Sequence, residues 1–388
     1  MAWDYADKPI RCDRSAACPG GGHPGKPAGG NLTAGLHAFS NVSDWRMLLA
    51  ESVTSADRLA GHLPIDPDAV GRVSQTYPMR INPYFLSVIQ AAGAPLWRQA
   101  VPDLAELAED PALFPDPLAE EPQSPVPHLI HRYPDRVVFM ISNECAMYCR
   151  HCMRKRRVGR NQRVTRGSVG QGVDYIRQHP AIREVILSGG DPLLVSDEWL
   201  AEILSRLKNI GHVDLLRIHT RAPSTLPQRI TPDLTHLLAE CAPLYLNIQF
   251  NHPAELTPDA IAACRRLADA GIPLGSQSVL LKGVNDDAET MMHLMRILLK
   301  NRIRPYYLHH ADPVPGTRHF RTRIETGLHI MRELRGRISG MGVPQYMIDL
   351  PGGGGKIPLL PEYIKQVRKG RLLVKNYEGV VFEYPSNF

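Results

Sequence analysis

The run Ser142-Asn143-Glu144-Cys145-Ala146-Met147-Tyr148-Cys149-Arg150-His151-Cys152 places three thiols in one short loop with the spacing C-x3-C-x2-C. Three thiolates can cap three irons of a cubane [4Fe-4S] cluster and leave the fourth iron without a protein ligand. A structural zinc site needs a fourth ligand, and none stands nearby at a usual zinc spacing. Cys145, Cys149 and Cys152 are therefore candidate metal ligands, and the open iron is a place for an exogenous ligand to bind and react.

Outward from this loop the chain alternates. Strand-like apolar runs occupy 137–142, 185–188, 215–219, 244–250, 274–281 and 305–310. Helical stretches lie at 167–178, 197–208, 232–241, 258–270, 288–301 and 324–337. This pattern predicts parallel strands joined by right-handed helical crossovers, an α/β fold. Six such units fit a partial (β/α)6 barrel, and in such sheets ligands gather at the carboxyl ends of the strands. The cysteine loop follows the first strand, as that rule requires. Before the barrel, 39–127 reads as a helical region, broken at Arg80-Ile81-Asn82-Pro83-Tyr84 and ending in a Pro-rich connector at 114–127. The Gly/Pro-rich stretch within 1–38 predicts a disordered tail. Cys12, Cys18 and His23 there could bind a metal, but a plain tail is the simpler reading. The barrel core is expected at 128–345 and a C-terminal segment at 346–388.

Two further motifs lie at strand ends. Leu187-Ser188-Gly189-Gly190-Asp191-Pro192-Leu193 closes the second strand, and its glycines let the backbone come close to a ligand. Alone it would be an ordinary strand-exit turn. Asp349-Leu350-Pro351-Gly352-Gly353-Gly354-Gly355-Lys356 looks at first like a phosphate loop. It is not a Walker A, because Leu350 stands where the first glycine is needed and Ile357 where Ser or Thr is needed. It reads better as a lysine on a flexible loop, ready to form an imine with pyridoxal phosphate. A Gly-rich hinge is the competing reading.

Together these motifs resemble the lysine 2,3-aminomutase family of radical S-adenosylmethionine enzymes. So do His131-Arg132-Tyr133-Pro134-Asp135-Arg136, Asn251-His252-Pro253, Gln277-Ser278-Val279-Leu280-Leu281 and His319-Phe320-Arg321-Thr322. The likeness covers roughly 81–356.

The resemblance implies a [4Fe-4S] cluster, S-adenosyl-L-methionine and pyridoxal 5′-phosphate as cofactors. It implies that Lys356 is the catalytic lysine bound to pyridoxal phosphate, with Arg132, Tyr133 and Arg136 around the phosphate. Ser188, Gly189, Gly190, Asp191 and Gln277 match cofactor-binding positions. Arg154 matches the arginine that holds the substrate carboxylate, and Asp312 and Asp349 match the pair that grips the ε-ammonium of lysine. The implied reaction moves the amino group of L-lysine from C2 to C3, an isomerisation to L-β-lysine. The chain departs from the clostridial enzyme in two ways. Ala311, not cysteine, precedes Asp312, and the tail at 360–388 has no cysteine, so no structural zinc is expected there.

Arginine is a competing substrate, because two aspartates also pair with a guanidinium. A smaller relative acts on a protein lysine, but it is shorter and lacks the four-glycine loop. A non-catalytic iron–sulfur scaffold or redox sensor would keep the cysteines and leave Lys356, Arg154 and the aspartate pair without a role.

Composition sets the remaining limits. The net charge is +6, from 45 Lys and Arg against 39 Asp and Glu, spread along the chain apart from the basic run at 154–160. That argues against a nucleic-acid binder. Seven cysteines, an odd number, do not make a secreted disulfide framework. No apolar stretch of about 18 residues predicts a membrane span. A cytoplasmic, reducing setting suits thiolate-held iron. The expected partners are a small amino-acid substrate, an electron donor of flavodoxin or ferredoxin type, and further copies of the chain in a homo-oligomer.

Overall fold

The computed structural model describes residues 44–160, 163–368 and 371–385; the tail at 1–38, with Cys12, Cys18 and His23, lies outside the described residues. Capping residues set the first helices. Asp44 caps α1 (Trp45–Ala50), and α2 (Ala56–Ala60) follows. Asp66 caps α3 (Pro67–Thr76) and Asn82 caps α4 (Pro83–Ala92), each with proline at the first helical position, where its missing N–H costs nothing. Then comes α5 (Ala94–Ala100). Val53, Leu59, Val70, Ile81, Phe85 and Ile89 form the core of this region together with Met147 of the cysteine loop. At the expected break between α3 and α4, Ile81 bridges both Val53 and Met147, so the break docks the helices onto the loop.

Nine strands among the described residues form one sheet whose spatial order follows the chain. β1 (Leu129–Tyr133) is an antiparallel edge on β2 (Arg136–Ser142). From β2 the strands run parallel through β3 (Glu184–Gly189), β4 (Leu215–Thr220), β5 (Leu244–Ile248), β6 (Leu274–Leu280), β7 (Ile303–His310) and β8 (Gln345–Leu350). β9 (Gly355–Pro358) turns back antiparallel on β8. The crossovers are α6 (Arg166–Gln178), α7 (Asp197–Lys208), a short α8 (Ala222–Thr225) with α9 (Pro232–Ala239), α10 (Pro258–Asp269), α11 (Ala288–Lys300) and α12 (Ile324–Leu334). The six expected strand–helix units run from β2 to α12, and β8 adds a seventh parallel strand. The lysine loop, expected within the C-terminal segment at 346–388, joins β8 to β9 of this sheet.

The two faces of the sheet differ. In β6, Leu274, Ser276, Ser278 and Leu280 are buried, whereas Gly275, Gln277 and Val279 face the barrel interior. Toward the helices the sheet is apolar: Leu187, Ile218 and Leu246 pack with Ile203, Leu267 and Leu294. Each such side chain contributes about 1.5–3 kcal/mol by leaving water. The barrel interior is mixed instead, with His219, Asn247, Gln277 and His309 set among apolar residues such as Ile130, Val138 and Ile186.

β1 and β9 are not neighbours in the ladder; side chains close the seam between them. The Lys356 amide donates to the Tyr133 hydroxyl at 2.9 Å, and the Arg132 guanidinium lies 3.6 Å from the Asp349 carboxylate. The Pro-rich connector crosses the same seam, where Pro117 accepts the Gly352 amide at 2.9 Å.

Beyond the barrel, β10 (Ile364–Arg368), β11 (Arg371–Lys375) and β12 (Val381–Pro385) form a separate antiparallel sheet. Register puts Val367, Leu372, Val374, Phe382 and Tyr384 on one face, and Val367 is 72% exposed. Among the described residues no helix is long and apolar enough to cross a membrane.

Candidate active site

The barrel encloses a cavity of about 1270 Å³, and every residue given a cofactor, metal or substrate role by the resemblance borders it. The cysteines enter from the loop after β2, Ser188 to Asp191 from the end of β3, Gln277 from β6, Asp312 from beyond β7, and Asp349 and Lys356 from β8 and β9. Arg132, Tyr133 and Arg136 come from β1 and β2, and Arg154 from just past the last cysteine.

Backbone contacts fix the cysteine loop. Tyr148 donates to the Arg80 carbonyl at 3.0 Å, Arg150 to that of Gln99 at 2.9 Å, and the Asn82 amide group to that of Ala146 at 3.1 Å. Glu106, wholly buried, pairs with Arg150 at 2.6 Å and Lys155 at 2.5 Å, clamping both flanks of Cys152. The glycine turn packs on the same loop, Gly190 donating to Ser142 at 2.6 Å and Asp191 to Glu144 at 2.7 Å. Gly189 has φ 129°, and any Cβ there would run into the Ser142 carbonyl. Its freedom therefore serves the approach of two protein segments. The Asp191 carboxylate is turned into the protein, accepting from Thr220 at 2.7 Å and from the amides of Arg221 and Leu193 at 2.8 and 3.0 Å.

Burial, then the neighbouring Asp191, pushes the Cys145 thiol well above its ordinary range; burial and Cys149 push Cys152 up to about 11. Metal ligation reverses that preference, since a coordinated thiol loses its proton. Arg221, directly after β4, donates to the Cys149 sulfur at 2.8 Å and is held by Gln99 at 2.6 Å and Glu255 at 3.1 Å. Among the described residues no three His, Cys, Asp or Glu side chains are grouped to hold a single metal ion. A cubane does not require that, because each thiolate meets a different iron.

The lysine half is a web of charges. Asp349 and Lys356 are cross-strand partners in β8 and β9, and their side chains form an ion pair. The Asp349 carboxylate is 4% exposed, and it also lies 3.8 Å from His309 Nδ1. Arg132 is braced by Gln123 at 2.9 Å and the Leu118 carbonyl at 2.7 Å, and Arg136 stacks over the Tyr133 ring at 4.1 Å. Burial, then the Asp349 charge, pushes Asp312 up to about 7. Burial, then Lys356, pushes His309 down to about 3, and burial holds His219 well below its usual value. Both imidazoles are neutral at pH 7.

Arg154 has an unforeseen partner. Glu120, from the connector, accepts from Arg154 Nε at 3.0 Å and from its terminal nitrogen at 2.8 Å, and Ser188 Oγ takes the other terminal nitrogen at 3.1 Å. Burial opposes the charged form of Glu120, but Arg154, Arg156 and Arg157 more than offset it and hold the carboxyl at about 2.

Known proteins match along the same stretches. The model of the Radical SAM superfamily matches residues 139–295, and that of Lysine-2,3-aminomutase matches 331–387. The L-lysine 2,3-aminomutase of Clostridium subterminale is 43% identical over 363 residues, which cover 90% of this chain and 87% of that protein. The L-lysine 2,3-aminomutase of Fusobacterium nucleatum is 42% identical, covering 90% and 85%. The chain belongs to the lysine 2,3-aminomutase family. The glutamate 2,3-aminomutase of Clostridioides difficile is also similar, 40% identical over 88% of this chain and 82% of that protein.

Membership makes the chain a radical S-adenosylmethionine isomerase whose cofactors are a [4Fe-4S] cluster, S-adenosylmethionine and pyridoxal phosphate. The residues present fit them. Three thiols share one loop, with a guanidinium donating to one sulfur. An amine 32% exposed stands at the cavity with two arginines near it. His151 Nδ1 and Asp349 Oδ1, both in lining residues, are buried without a hydrogen-bond partner. Sequence reading missed Glu120, Arg221, His219 and His309. Arg221 had a signal, as the first residue past a strand's carboxyl end. Glu120 had none beyond two adjacent acids in a Pro-rich stretch.

Proposed function

We propose that the chain moves the amino group of L-lysine from C2 to C3, giving L-β-lysine. The observation that carries this reading is the pair Asp312 and Asp349, two carboxylates bordering one cavity beside Lys356. Such a pair favours a cationic side chain and opposes the second carboxylate of glutamate. When bound, the cofactors supply a carbon radical and a carbonyl partner for the migrating nitrogen.

The protein's part is placement and exclusion of water. Arg154 anchors the substrate carboxylate, and Asp312 and Asp349 take the distal ammonium. Lys356 is the covalent anchor for pyridoxal phosphate. Arg132, Tyr133 and Arg136 hold the phosphate. Cys145, Cys149 and Cys152 hold the cluster, and Ser188, Gly189, Gly190, Asp191 and Gln277 form the S-adenosylmethionine side. Neutral His219 and His309 line the wall without adding positive charge to a site built for a cation.

A flavodoxin- or ferredoxin-type protein is the proposed reductant, and a reducing cytoplasm the proposed setting. The apolar face of β10–β12 supports assembly into a homo-oligomer, to be measured by sedimentation. The deciding experiment incubates reconstituted, reduced protein with lysine, arginine, ornithine and glutamate and separates the products. β-Lysine from lysine is expected. A β-amino acid from arginine or glutamate alone would replace the substrate assignment, and no 5′-deoxyadenosine at all would sink the reaction.

A further inference from the structure

We propose that Glu120 is the positioning residue that aims Arg154 at the substrate's carboxylate. The proposal rests on the reading of Arg154 as carboxylate anchor and adds what holds that anchor in place.

A guanidinium is planar and offers two edges on which a carboxylate can bind in bidentate fashion. Glu120 occupies one of them. Its Oε1 accepts from Arg154 Nε at 3.0 Å and from the terminal nitrogen on the same edge at 2.8 Å. The edge formed by the two terminal nitrogens is left for a ligand, and Ser188 Oγ steadies one of these at 3.1 Å. The pair is well buried, with Glu120 3% and Arg154 14% exposed, so water competes poorly for it. A free arginine side chain would have to be ordered by each incoming substrate. One already locked by a buried carboxylate is ordered beforehand.

The connector is shaped to deliver Glu120. Ala119, just before it, has φ 51°, the left-handed region that a non-glycine residue adopts only under local constraint. The Asp116 carboxylate supplies that constraint by accepting the amides of Glu120 at 3.0 Å and Glu121 at 2.9 Å. Gln123 donates back to the carbonyls of Leu118 and Ala119. Arg156 also touches Glu120, at 3.3 Å, but has Asp116 at 2.7 Å and Glu121 at 3.1 Å of its own. Glu120 is therefore not needed to neutralise Arg156, and Arg154 is the partner it serves.

The test is calorimetric binding to protein loaded with its cofactors but without reductant, so that nothing turns over. The two ligands are L-lysine and 1,5-diaminopentane, which is lysine without the carboxylate. Glu120→Gln is expected to weaken lysine binding roughly tenfold or more, the size of one charged hydrogen bond, and to leave diaminopentane nearly unchanged. Glu120→Asp is expected to recover part of the loss, and Arg156→Gln to disturb neither ligand. Arg154→Gln separates the two layers of the reading. If it fails to discriminate between the ligands, Arg154 is not the carboxylate anchor and both readings fall. If Arg154→Gln discriminates and Glu120→Gln does not, the role of Glu120 alone is overturned. Tighter lysine binding by Glu120→Gln would overturn it too, making Glu120 a placeholder for the substrate carboxylate, as would equal loss of both ligands.

Discussion

Around the cysteines, segments are held by backbone contacts and by a buried ion cluster: amides of Tyr148, Arg150, Gly190 and Asp191 all donate to neighbouring carbonyls, with Glu106 clamped between Arg150 and Lys155. Around Lys356, the loop carries four glycines, three of them at positive φ, and the β8–β9 ladder and the Pro117 carbonyl are supplemented by side chains: Tyr133 on one amide and Asp349 on the amine. The two halves of one cavity are thus fixed by different means. A cluster is assembled once and needs thiolates that do not move. A lysine that exchanges partners during each turnover needs a tether that gives.

Lys356→Ala is the most severe way to part the halves. Turnover is expected to fall on the order of 10⁴-fold, the scale for removing a group that carries a covalent step. The pyridoxal absorbance should vanish while iron content stays at the wild-type level; loss of iron as well would show that the halves are coupled. Glu106→Ala strikes the other half. It leaves Arg150 and Lys155 buried without their partner and is expected to cost about 3–5 kcal/mol in denaturant titration, with reduced iron content. A cost within experimental error would mean that the clamp is incidental.

The acidic pair gives a milder, titratable handle. With Asp312 raised to about 7, its carboxyl is protonated below that pH and must release a proton to receive a cation. Asp349, Lys356, Glu120 and Arg154 are the charges acting on it. Affinity for lysine should therefore climb with pH, by at most about tenfold per unit, and level off above about 7. Asp312→Asn should flatten that rise, and an unaltered profile would exclude Asp312 as its source. The smallest effect is expected from Gly352→Ala. Gly352 has φ 68° but open space around it, so the change should cost only about 1 kcal/mol in thermal unfolding. The same change at Gly189, where a backbone carbonyl blocks the methyl, should cost more and lower iron content. Equal costs would erase the contrast between the halves.

The sheet was legible because its inner strands are apolar runs bounded by turns and most crossover helices announce their start. Thr231-Pro232 and Thr257-Pro258 open α9 and α10 with a threonine cap and a proline in the first turn. The strands at the two edges were not. Leu129–Tyr133 and Gly355–Pro358 are short, and their pairing depends on register with neighbours, not on their own pattern. The family resemblance, not local pattern, brought Arg154 and the aspartates into view as chemistry. It could not reveal that Arg154 already has a carboxylate on one edge, because Glu120 reaches it only through the path of the connector. Nor could it show that Asp191 is bonded inward to Thr220 and Arg221, a contact between the ends of two neighbouring strands.

The seam between β1 and β9 makes the barrel's closure a matter of mass action. Arg132, Tyr133, Asp349 and Lys356, the residues that bridge the gap, are also the ones assigned to pyridoxal phosphate and substrate. A molecule bound there joins the first strand to the last, as a keystone joins the two sides of an arch. Its concentration then sets the melting temperature: at a hundred times the dissociation constant, a ligand that binds only the folded chain adds about 2.7 kcal/mol.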